Sequence, residues 1–536
     1  MADRIIQFLL SLSPIATVQA AAGLIILSFL VYIIQSELTR WQARISGLPG
    51  PRGYPIVGSL VHLRGKSHAE VYRQWAEVYG PVFQVQLGNT TVVVINSAAA
   101  AKTLLIGQSA AFNSRPEFYV LHKVVSSQAF SIGTSPWDES CKKRRRAAAG
   151  AALNRVKTEG YAPILKLEAT EFIKDILENC QDGTIELDFR PYTRRFALNL
   201  SLTLNYGTRI TDSKDLTGNP LLAEIIEVEA GISRYRQTSR NLSNYIPLLR
   251  YVNPALSAIG IGESNNDGAK MGARRVAYHD VLLRQLKQRI ESGSDLPCIQ
   301  GAVLKDPEAK LNQTELLSVS LSMMAGADSS QPSLAWAILF LAHNHDIQQK
   351  AYSAIQSAGL LDNGDLGNLN VEYVQALTKE LGRYFMVLRL ALPKATASAA
   401  RWEQYNIPEK TVVFLNSWAC GRDSEELEEA WDFRPERWLG NSDKHTHQFA
   451  FGFGGRMCVA SHVSHNALYT VYLHLIAHFE IHPAEGETSE SAIDPLESLN
   501  DVEGTTATPR KFKAKFIPRN KALLKDYIVD VVHTER

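Results

Sequence analysis

The sequence predicts a mainly helical α+β protein with small β-sheets, held to a membrane by one transmembrane helix. Helical periodicity, in which apolar residues recur every three or four positions, runs through most of the chain after Tyr72. Strand-like patterns are short and lie near the beginning and the end of the chain. The third observation is a long uncharged segment close to the amino terminus. Since the 536 residues contain no internal repeat and no long low-complexity linker, we expect one large domain behind the anchor.

The amino-terminal segment is predicted to cross a bilayer. No charged residue occurs from Ile5 to Ser36, and the stretch from Ile15 to Ile34 has the length that a membrane helix needs. A cleaved signal peptide fits less well, because it would have a shorter apolar core followed by a cleavage site with small residues. Basic residues follow the segment in excess, namely Arg40, Arg44, Arg52, Arg64 and Lys66. The positive-inside rule therefore predicts that the rest of the protein is cytosolic.

We predict three segments: a membrane anchor at residues 1–36, a hinge at residues 37–55 and a catalytic body at residues 56–536. The hinge carries three prolines among glycines: Pro49, Pro51 and Pro55. Prolines at this spacing do not continue a helix, so they predict a stiff, kinked spacer.

Within the body, two stretches predict strands. "PVFQVQLGNTTVVVIN", from Pro81 to Asn96, reads as a hairpin that turns at Gly88-Asn89. "KTVVFLN", from Lys410 to Asn416, predicts another strand. The polar, glycine-containing segment "IGESNNDGAKMG", from Ile261 to Gly272, predicts a surface loop between helices.

Composition excludes several classes of function. A formal net charge of +1 gives no electrostatic case for a nucleic-acid partner. The five cysteines are widely spaced and contain no C-x-x-C pair, which argues against a disulfide scaffold, a zinc ribbon and a covalent c-type heme attachment. The basic run "KKRRR", from Lys142 to Arg146, is by itself most typical of a solvated helix face.

One cysteine lies in an unusual setting, the glycine-rich stretch "FGFGGRMCVA" from Phe451 to Ala460. A thiolate that binds a metal permanently is favoured by nearby cations, backbone N–H donors and a helix amino terminus. Arg456, the three glycines and the helix predicted after Cys458 would supply these groups. A single thiolate ligand suits heme iron, although a buried, inert cysteine beside a glycine turn is the alternative.

"FGFGGRMC" resembles the heme-binding signature F-x-x-G-x-R-x-C of the cytochromes P450. Its four defining positions are filled by Phe451, Gly454, Arg456 and Cys458. The resemblance implies a cytochrome P450 fold in which Cys458 is the axial ligand of heme b, with Phe451 and Arg456 among the heme-binding residues. Arg456 would pair with a heme propionate.

Two further segments resemble family motifs in the expected order. "KELGRY" offers Glu380 and Arg383, and "FRPERW" offers Arg437, which together resemble the Glu-Arg-Arg cluster that fixes the core behind the heme. "MMAGADSSQP" resembles the segment A-G-x-[DE]-T of the helix over the heme. There Asp328 and Ser329 would be the catalytic residues that relay protons. Independently of the family, Pro332 removes the backbone donor to the carbonyl of Asp328 and predicts a local helix distortion.

Two more basic residues are implied in heme binding by resemblance. "SIGTSPWDESCKKRRRAA" is similar to the W-x-x-x-R helix that reaches a propionate, with Arg145 at the arginine position. Trp137 lies too early for the aromatic position, which Cys141 occupies. Lys394, in "ALPKATA", stands where an arginine or histidine often meets a propionate.

The chain departs from the family patterns at five positions, where the departures predict lower stability or weaker heme retention. Ala460 replaces a glycine, Gly382 a leucine, Ser329 a threonine, Lys394 an arginine or histidine, and Ala467 a carboxylate.

The resemblance implies a heme-thiolate monooxygenase, most similar to fungal cytochromes of the phenylacetate-hydroxylase type. It would receive electrons from NADPH through NADPH-cytochrome P450 reductase at the endoplasmic reticulum membrane, with the catalytic domain cytosolic. The resemblance implies oxidation of an aromatic or apolar small molecule in fungal secondary metabolism. The basic residues Lys142 and Lys143 would contribute to reductase docking. Two alternatives stay open: a heme-thiolate coupling, dehydrogenation or rearrangement without hydroxylation, and a catalytically impaired relative that only binds a ligand.

Overall fold

The computed structural model describes residues 14–153, 159–210, 218–252, 265–359, 366, 369–440, 448–487 and 490–535. The predicted mainly helical α+β architecture is confirmed. The helices are α1 Pro14–Ala43, α2 Leu60–Leu63, α3 His68–Tyr79, α4 Ala98–Ala101, α5 Glu139–Ala148, α6 Ala162–Asn179, α7 Arg190–Tyr206, α8 Pro220–Arg234, α9 Asn265–Glu291, α10 Ile299–Lys305, α11 Gln313–Met324, α12 Ala327–His343, α13 His345–Ser357, α14 Glu372–Phe385, α15 Ser417–Cys420, α16 Ser461–His478 and α17 Lys521–Glu535. The strands are β1 Val82–Leu87, β2 Thr90–Ile95, β3 Lys394–Ala395, β4 Ala400–Trp402, β5 Tyr405–Ile407, β6 Val412–Leu415, β7 Phe479–Pro483 and β8 Ala514–Pro518.

The amino-terminal helix α1 is a candidate membrane anchor. Its segment Val18–Ala43 is 26 residues long and is apolar enough, by length and composition, to cross a bilayer. The helix continues beyond residue 36 to Ala43, so residues 37–43, predicted as part of the hinge, are helical. The first 13 residues of the predicted anchor lie outside the described part of the chain.

The end of α1 is fastened to the body by hydrogen bonds. Ser36 Oγ donates to Asn89 Oδ1 at 2.8 Å. Thr91 Oγ1 donates to the Ala43 carbonyl at 2.9 Å, and the buried Gln84 amide donates to the Ile45 carbonyl at 2.8 Å. The anchor helix therefore joins the hairpin of β1 and β2 directly.

The two strand predictions are confirmed. Strands β1 and β2 form an antiparallel hairpin with Leu87 opposite Thr90, so the chain turns at Gly88-Asn89. Strand β6 lies within Lys410–Asn416 and pairs in parallel with β2, giving a four-stranded sheet in the order β1-β2-β6-β3. Strands β4 and β5, and β7 and β8, form two separate two-stranded sheets.

Helix α12 runs through the largest hydrophobic core. Every residue from Leu334 to Ala342 is buried, as expected of a helix that is apolar on all sides. Trp336 stacks on Phe385 of α14 with ring centroids 4.5 Å apart. The chain leaves the helical conformation at Ala325 and Gly326. This break lies two to three residues before Asp328, at whose carbonyl Pro332 predicts a distortion. The break separates α11 from α12 where they approach the site described below.

The loop prediction for Ile261–Gly272 is wrong where the structure describes it, since α9 begins at Asn265. Gly268 and Gly272, which suggest a loop, are packing positions in this helix. A Cβ atom on Gly272 would lie 1.8 Å from the Val125 carbonyl oxygen, so glycine allows α9 to pack directly on the backbone of residues 119–125.

Glu380 of α14 is the centre of a buried ionic cluster. Arg383 donates to both carboxylate oxygens at 2.8 and 2.7 Å, and Arg437 Nε donates to Oε1 at 3.2 Å. Trp438 Nε1 and the Arg434 backbone N–H each donate at 2.8 Å. The remaining Arg383 donors reach carbonyls of the segment 421–432, so the cluster fixes the chain that leads to the cysteine loop.

We predict that Glu380→Ala lowers the free energy of unfolding of the heme-loaded protein by about 3–5 kcal/mol, because it leaves the Arg383 charge buried without a partner. Urea titration followed by circular dichroism measures this change. The matched control is Glu77→Gln on α3, which breaks an exposed ion pair with Arg73 and is expected to cost about 0.5 kcal/mol or less. Equal effects of the two substitutions would contradict a structural role of the cluster.

Candidate active site

A cavity with a volume of ≈ 320 Å³ lies among the described residues. The end of α11 and the start of α12 form one wall, and α14, α16 and the loop at residues 448–460 form the other walls. A second cavity beside Val125 measures only ≈ 30 Å³. The large cavity is lined by Cys458, Phe451, Asp328 and Ser329, all of which the sequence predicts as site residues.

The loop that carries Cys458 folds back on itself. The Cys458 N–H donates to the Phe451 carbonyl at 3.0 Å, and the Met457 N–H donates to the Gly454 carbonyl at 3.0 Å. Gly454 has a φ of 78°, and a Cβ atom there would lie 2.4 Å from the Leu105 carbonyl oxygen. Glycine is therefore required at Gly454 by both its backbone conformation and its close neighbour.

Cys458 is exposed to the cavity that it lines, and helix α16 begins three residues after it at Ser461. Burial raises the pKa of the Cys458 thiol, while the Ala460 backbone N–H and the charge of Arg145 lower it. Arg145 therefore supplies a cation to the sulfur, and the expectation that Arg456 does so stays a prediction. A coordinated metal ion deprotonates a thiol outright.

Four basic side chains line the cavity near the cysteine: Arg115, Arg145, Lys394 and Arg456. Burial lowers the pKa of Lys394 well below its usual range, and the charges of the other three lower it further. Burial lowers the pKa of Arg115 to about 9, again with help from Arg456 and Arg145. Among the residues that the structure describes, none of the four forms an ion pair with a carboxylate. Their positive charges are therefore concentrated and largely uncompensated.

Arg456 is held in place by backbone carbonyls. It donates to the carbonyls of Asn113 at 2.5 Å, Ile132 at 2.8 Å and Ser135 at 3.1 Å. Its guanidinium carbon lies 5.2 Å from the ring centroid of Trp137. Trp137 lies too early in the sequence for the aromatic position of the W-x-x-x-R pattern. It nevertheless contacts Arg456, a basic residue of the cavity.

Arg115 is the basic residue that sequence analysis misses. It is buried and donates to the carbonyl of Pro393 at 2.9 Å, beside Lys394, and to that of Arg456 at 3.4 Å. Its Nε atom is buried without a hydrogen-bond partner among the described residues. No local pattern around Arg115 distinguishes it from a surface arginine, since only the tertiary fold brings it to Lys394 and Arg456.

The basic run at Lys142–Arg146 does not form a wholly solvated face. Arg144 is buried and donates to the Phe130 carbonyl at 3.2 Å and to Ser135 Oγ at 3.1 Å. Arg145 lines the cavity and donates to the Met457 carbonyl at 3.4 Å. Two consecutive arginines therefore point inward, one to the core and one to the cavity.

These residues fit a heme. A group with two carboxylates would neutralise much of the charge of the four basic side chains and would meet the unpartnered Nε of Arg115. Cys458 supplies a single sulfur ligand to the same cavity, which is the donor set that heme-thiolate iron requires. Such a heme would be held by Cys458, Arg115, Arg145, Lys394 and Arg456.

On the opposite wall, Asp328 and Ser329 begin helix α12. Ser329 Oγ donates to the Gly326 carbonyl at 3.2 Å. Asp328 Oδ2 instead accepts a hydrogen bond from Arg236 Nη1 at 3.2 Å, an ion pair that the sequence does not predict. Burial raises the pKa of Asp328 to about 6, although the Arg236 charge lowers it. Asp328 can therefore exchange a proton close to neutral pH.

Of the residues that depart from the family patterns, Ala460 and Gly382 line the cavity and Ala467 is buried in the core. Ala460 caps α16 and lines the cavity beside Cys458. A Cβ atom on Gly382 would make only an ordinary contact, 3.5 Å from the Ala450 Cβ. Ala467 is 2% exposed in the apolar core, where a carboxylate would need a buried partner.

The chain is similar to known proteins over most of its length. The family model for Cytochrome P450 matches residues 48–509. A 3-hydroxyphenylacetate 6-hydroxylase of Emericella nidulans is 42% identical over 503 residues, which cover 92% of this chain and 93% of that protein. A phenylacetate 2-hydroxylase of the same fungus is 39% identical over 525 residues, which cover 96% and 98%. A cytochrome P450 monooxygenase of Mycosarcoma maydis is 38% identical over 492 residues, which cover 89% and 88%.

We predict that Cys458→Ser abolishes the thiolate-specific Soret band of the reduced carbon-monoxide complex, because the variant lacks the sulfur ligand. The difference spectrum of purified protein measures this band. The matched control is Cys180→Ala, which removes a cysteine buried outside the cavity lining and is expected to keep the band. A thiolate band in folded Cys458→Ser would contradict the ligand assignment.

We also predict that Arg115→Gln accelerates heme loss by about ten- to hundred-fold, the range expected for a lost hydrogen bond to a charged group. Transfer of heme to an excess of apomyoglobin, followed by absorbance, measures the rate. Arg401→Gln on β4 removes an exposed arginine and is the control. If Arg115→Gln and the control lost heme equally slowly, Arg115 would serve only to hold the carbonyls around it.

Proposed function

The chain belongs to the cytochrome P450 family, and from this premise we propose that it hydroxylates a small aromatic molecule, with arylacetic acids as the first class to test. As a family member it is a heme-dependent monooxygenase that takes electrons from a redox partner and acts on a small molecule. The observation that carries the proposal is that Cys458 and the four basic side chains share one cavity with Asp328 and Ser329. The residues proposed as metal ligand, cofactor contacts and proton carriers thus line a single cavity.

The aromatic class is supported by the relatives. Two proteins that match nearly the whole chain are named for hydroxylation of phenylacetate and 3-hydroxyphenylacetate. Outside α16 and the cysteine loop, the cavity lining includes apolar side chains suited to a ring: Ile132, Met323, Val387, Leu388 and Leu392. A flat, largely apolar substrate is consistent with this lining.

The residues of the cavity have separate tasks in the proposed reaction. When bound, heme supplies the iron that activates dioxygen. Cys458 would hold the iron, and Arg115, Arg145, Lys394 and Arg456 would hold the propionates. Asp328 takes up and releases protons at its carboxylate, since its pKa of about 6 keeps both forms populated near neutral pH. Ser329 adds a hydroxyl on the same turn of α12.

We propose that NADPH-cytochrome P450 reductase is the electron donor and that the protein resides in the endoplasmic reticulum membrane. Helix α1, which includes most of the predicted anchor at residues 1–36, would hold the catalytic body at residues 56–536 against the cytosolic face. Lys142 and Lys143, expected in reductase docking, pair with Glu139 at 2.6 Å and Glu315 at 2.9 Å, so their contribution to a basic surface is reduced.

We predict that microsomes containing the enzyme, its reductase and NADPH convert phenylacetate or 3-hydroxyphenylacetate to a product that carries one oxygen atom from labelled dioxygen. Mass spectrometry of products formed under ¹⁸O₂ measures the incorporation, and Cys458→Ser is the inactive control. Product without label would indicate a coupling, dehydrogenation or rearrangement instead. Failure to convert any member of a panel of aromatic acids and neutral aromatics, by protein with a normal carbon-monoxide spectrum, would contradict the aromatic class.

A further inference from the structure

Arg236 is a fifth basic side chain on the cavity wall, and it stands apart from the other four. The charges of Arg145 and Arg456 act on Arg115 and on Lys394. Arg236 acts on Asp328, on the side of the cavity formed by α12. The hydrogen bond to Asp328 therefore places Arg236 at the α12 wall of the cavity, opposite the loop that carries Cys458.

The guanidinium of Arg236 can donate more hydrogen bonds than it makes to the described residues. Its Nη1 donates to Asp328 at 3.2 Å, which is a long, single contact rather than a two-point pair. Its Nε is buried and has no hydrogen-bond partner among the described residues. The side chains of Arg236 and Asp328 are 17% and 25% exposed, and both line the cavity. An anion that enters the cavity can reach this pair.

The backbone around Arg236 is well fixed. Arg236 lies in the turn that follows α8, where its N–H donates to the Ser233 carbonyl at 3.2 Å. The buried Asn241 amide donates to the carbonyls of Arg234 at 2.9 Å and Gln237 at 2.7 Å. Gln237 also donates to Asp501 at 3.1 Å, which ties the turn to the segment that carries the cavity residues Thr505 and Thr506. A cation on such a support is suited to orient a ligand.

We propose that Arg236 binds the carboxylate of an aromatic acid substrate and that Asp328 occupies the guanidinium when no substrate is present. This inference rests on the proposed function, because it names the group by which the aromatic substrate is recognised. A guanidinium presents two parallel N–H donors to a carboxylate, so the incoming acid makes a better pair than the single contact to Asp328. Since one carboxylate replaces another, the exchange leaves Arg236 paired.

The exchange also changes Asp328. Arg236 lowers the pKa of Asp328, so the loss of this pair favours protonation of the carboxylate. The other charged groups that act on it, Glu229 and Arg275, form their own ion pair at 2.6 Å and stay in place. Asp328 thus becomes a better proton carrier when an acid substrate is bound.

The test compares binding of phenylacetate with that of phenylacetamide, which has the same ring and shape but no charge. Equilibrium dialysis of radiolabelled compounds against the full-length holoenzyme measures both dissociation constants without relying on turnover. We expect the wild-type enzyme to bind phenylacetate about ten-fold or more tightly than phenylacetamide. Arg236→Gln should remove this preference by weakening phenylacetate binding alone, and Arg236→Lys should retain part of it because the charge remains.

Two further variants separate this role from a structural one. Asp328→Asn removes the charge that competes for Arg236, so phenylacetate should bind several-fold more tightly while phenylacetamide binding is unchanged. Arg240→Gln removes a half-exposed arginine four residues away that does not line the cavity, and it should change neither constant. The carbon-monoxide spectrum of each variant verifies that the heme site is intact.

The inference is overturned if the wild-type enzyme shows no preference for phenylacetate, including the case in which it binds neither compound. It is also overturned if Arg236→Gln weakens both compounds equally. Oxidation of neutral aromatics without a carboxylate preference would retain the proposed function and reject this inference. Conversely, Arg236-dependent carboxylate binding without oxidation of any aromatic acid would support the inference and reject the proposed function.

Discussion

The cavity around Cys458 is dominated by an excess of positive charge. Arg115, Arg145, Lys394 and Arg456 come from four different parts of the chain and meet in a buried place where no described carboxylate pairs with them. Like charges in a medium of low dielectric constant repel strongly, and each loses hydration. A cofactor with two carboxylates would pair with these cations and reduce their mutual repulsion.

Neutral groups hold these charges before the cofactor binds. Arg456 and Arg115 donate mainly to backbone carbonyls, which orient a guanidinium without cancelling its charge. The Glu380 cluster differs, because there a carboxylate forms ion pairs with two arginines. Arg115 and Arg456 thus remain available to pair with an anionic cofactor.

The sequence predicts those features that depend on residues close together in the chain. The hairpin at Gly88-Asn89 and the loop ending in Cys458 follow from local patterns, and both occur where predicted. Features formed between distant segments have no such signal. Arg236 and Asp328 are 92 residues apart, and Gly272 is read as a loop residue because its packing partner Val125 is far away in sequence. Tertiary packing decides these positions.

Helix α1 is continuous from the apolar segment to Ala43, and its end is bonded to the β1–β2 hairpin at Asn89 and Thr91. A helix joined in this way connects the membrane segment to the body rigidly. Tilting or rotating the anchor in the lipid would turn the whole body with it. Bilayer thickness and lipid composition, which set the tilt of a spanning helix, would therefore also set the direction in which the protein presents its surface to other proteins on the same membrane.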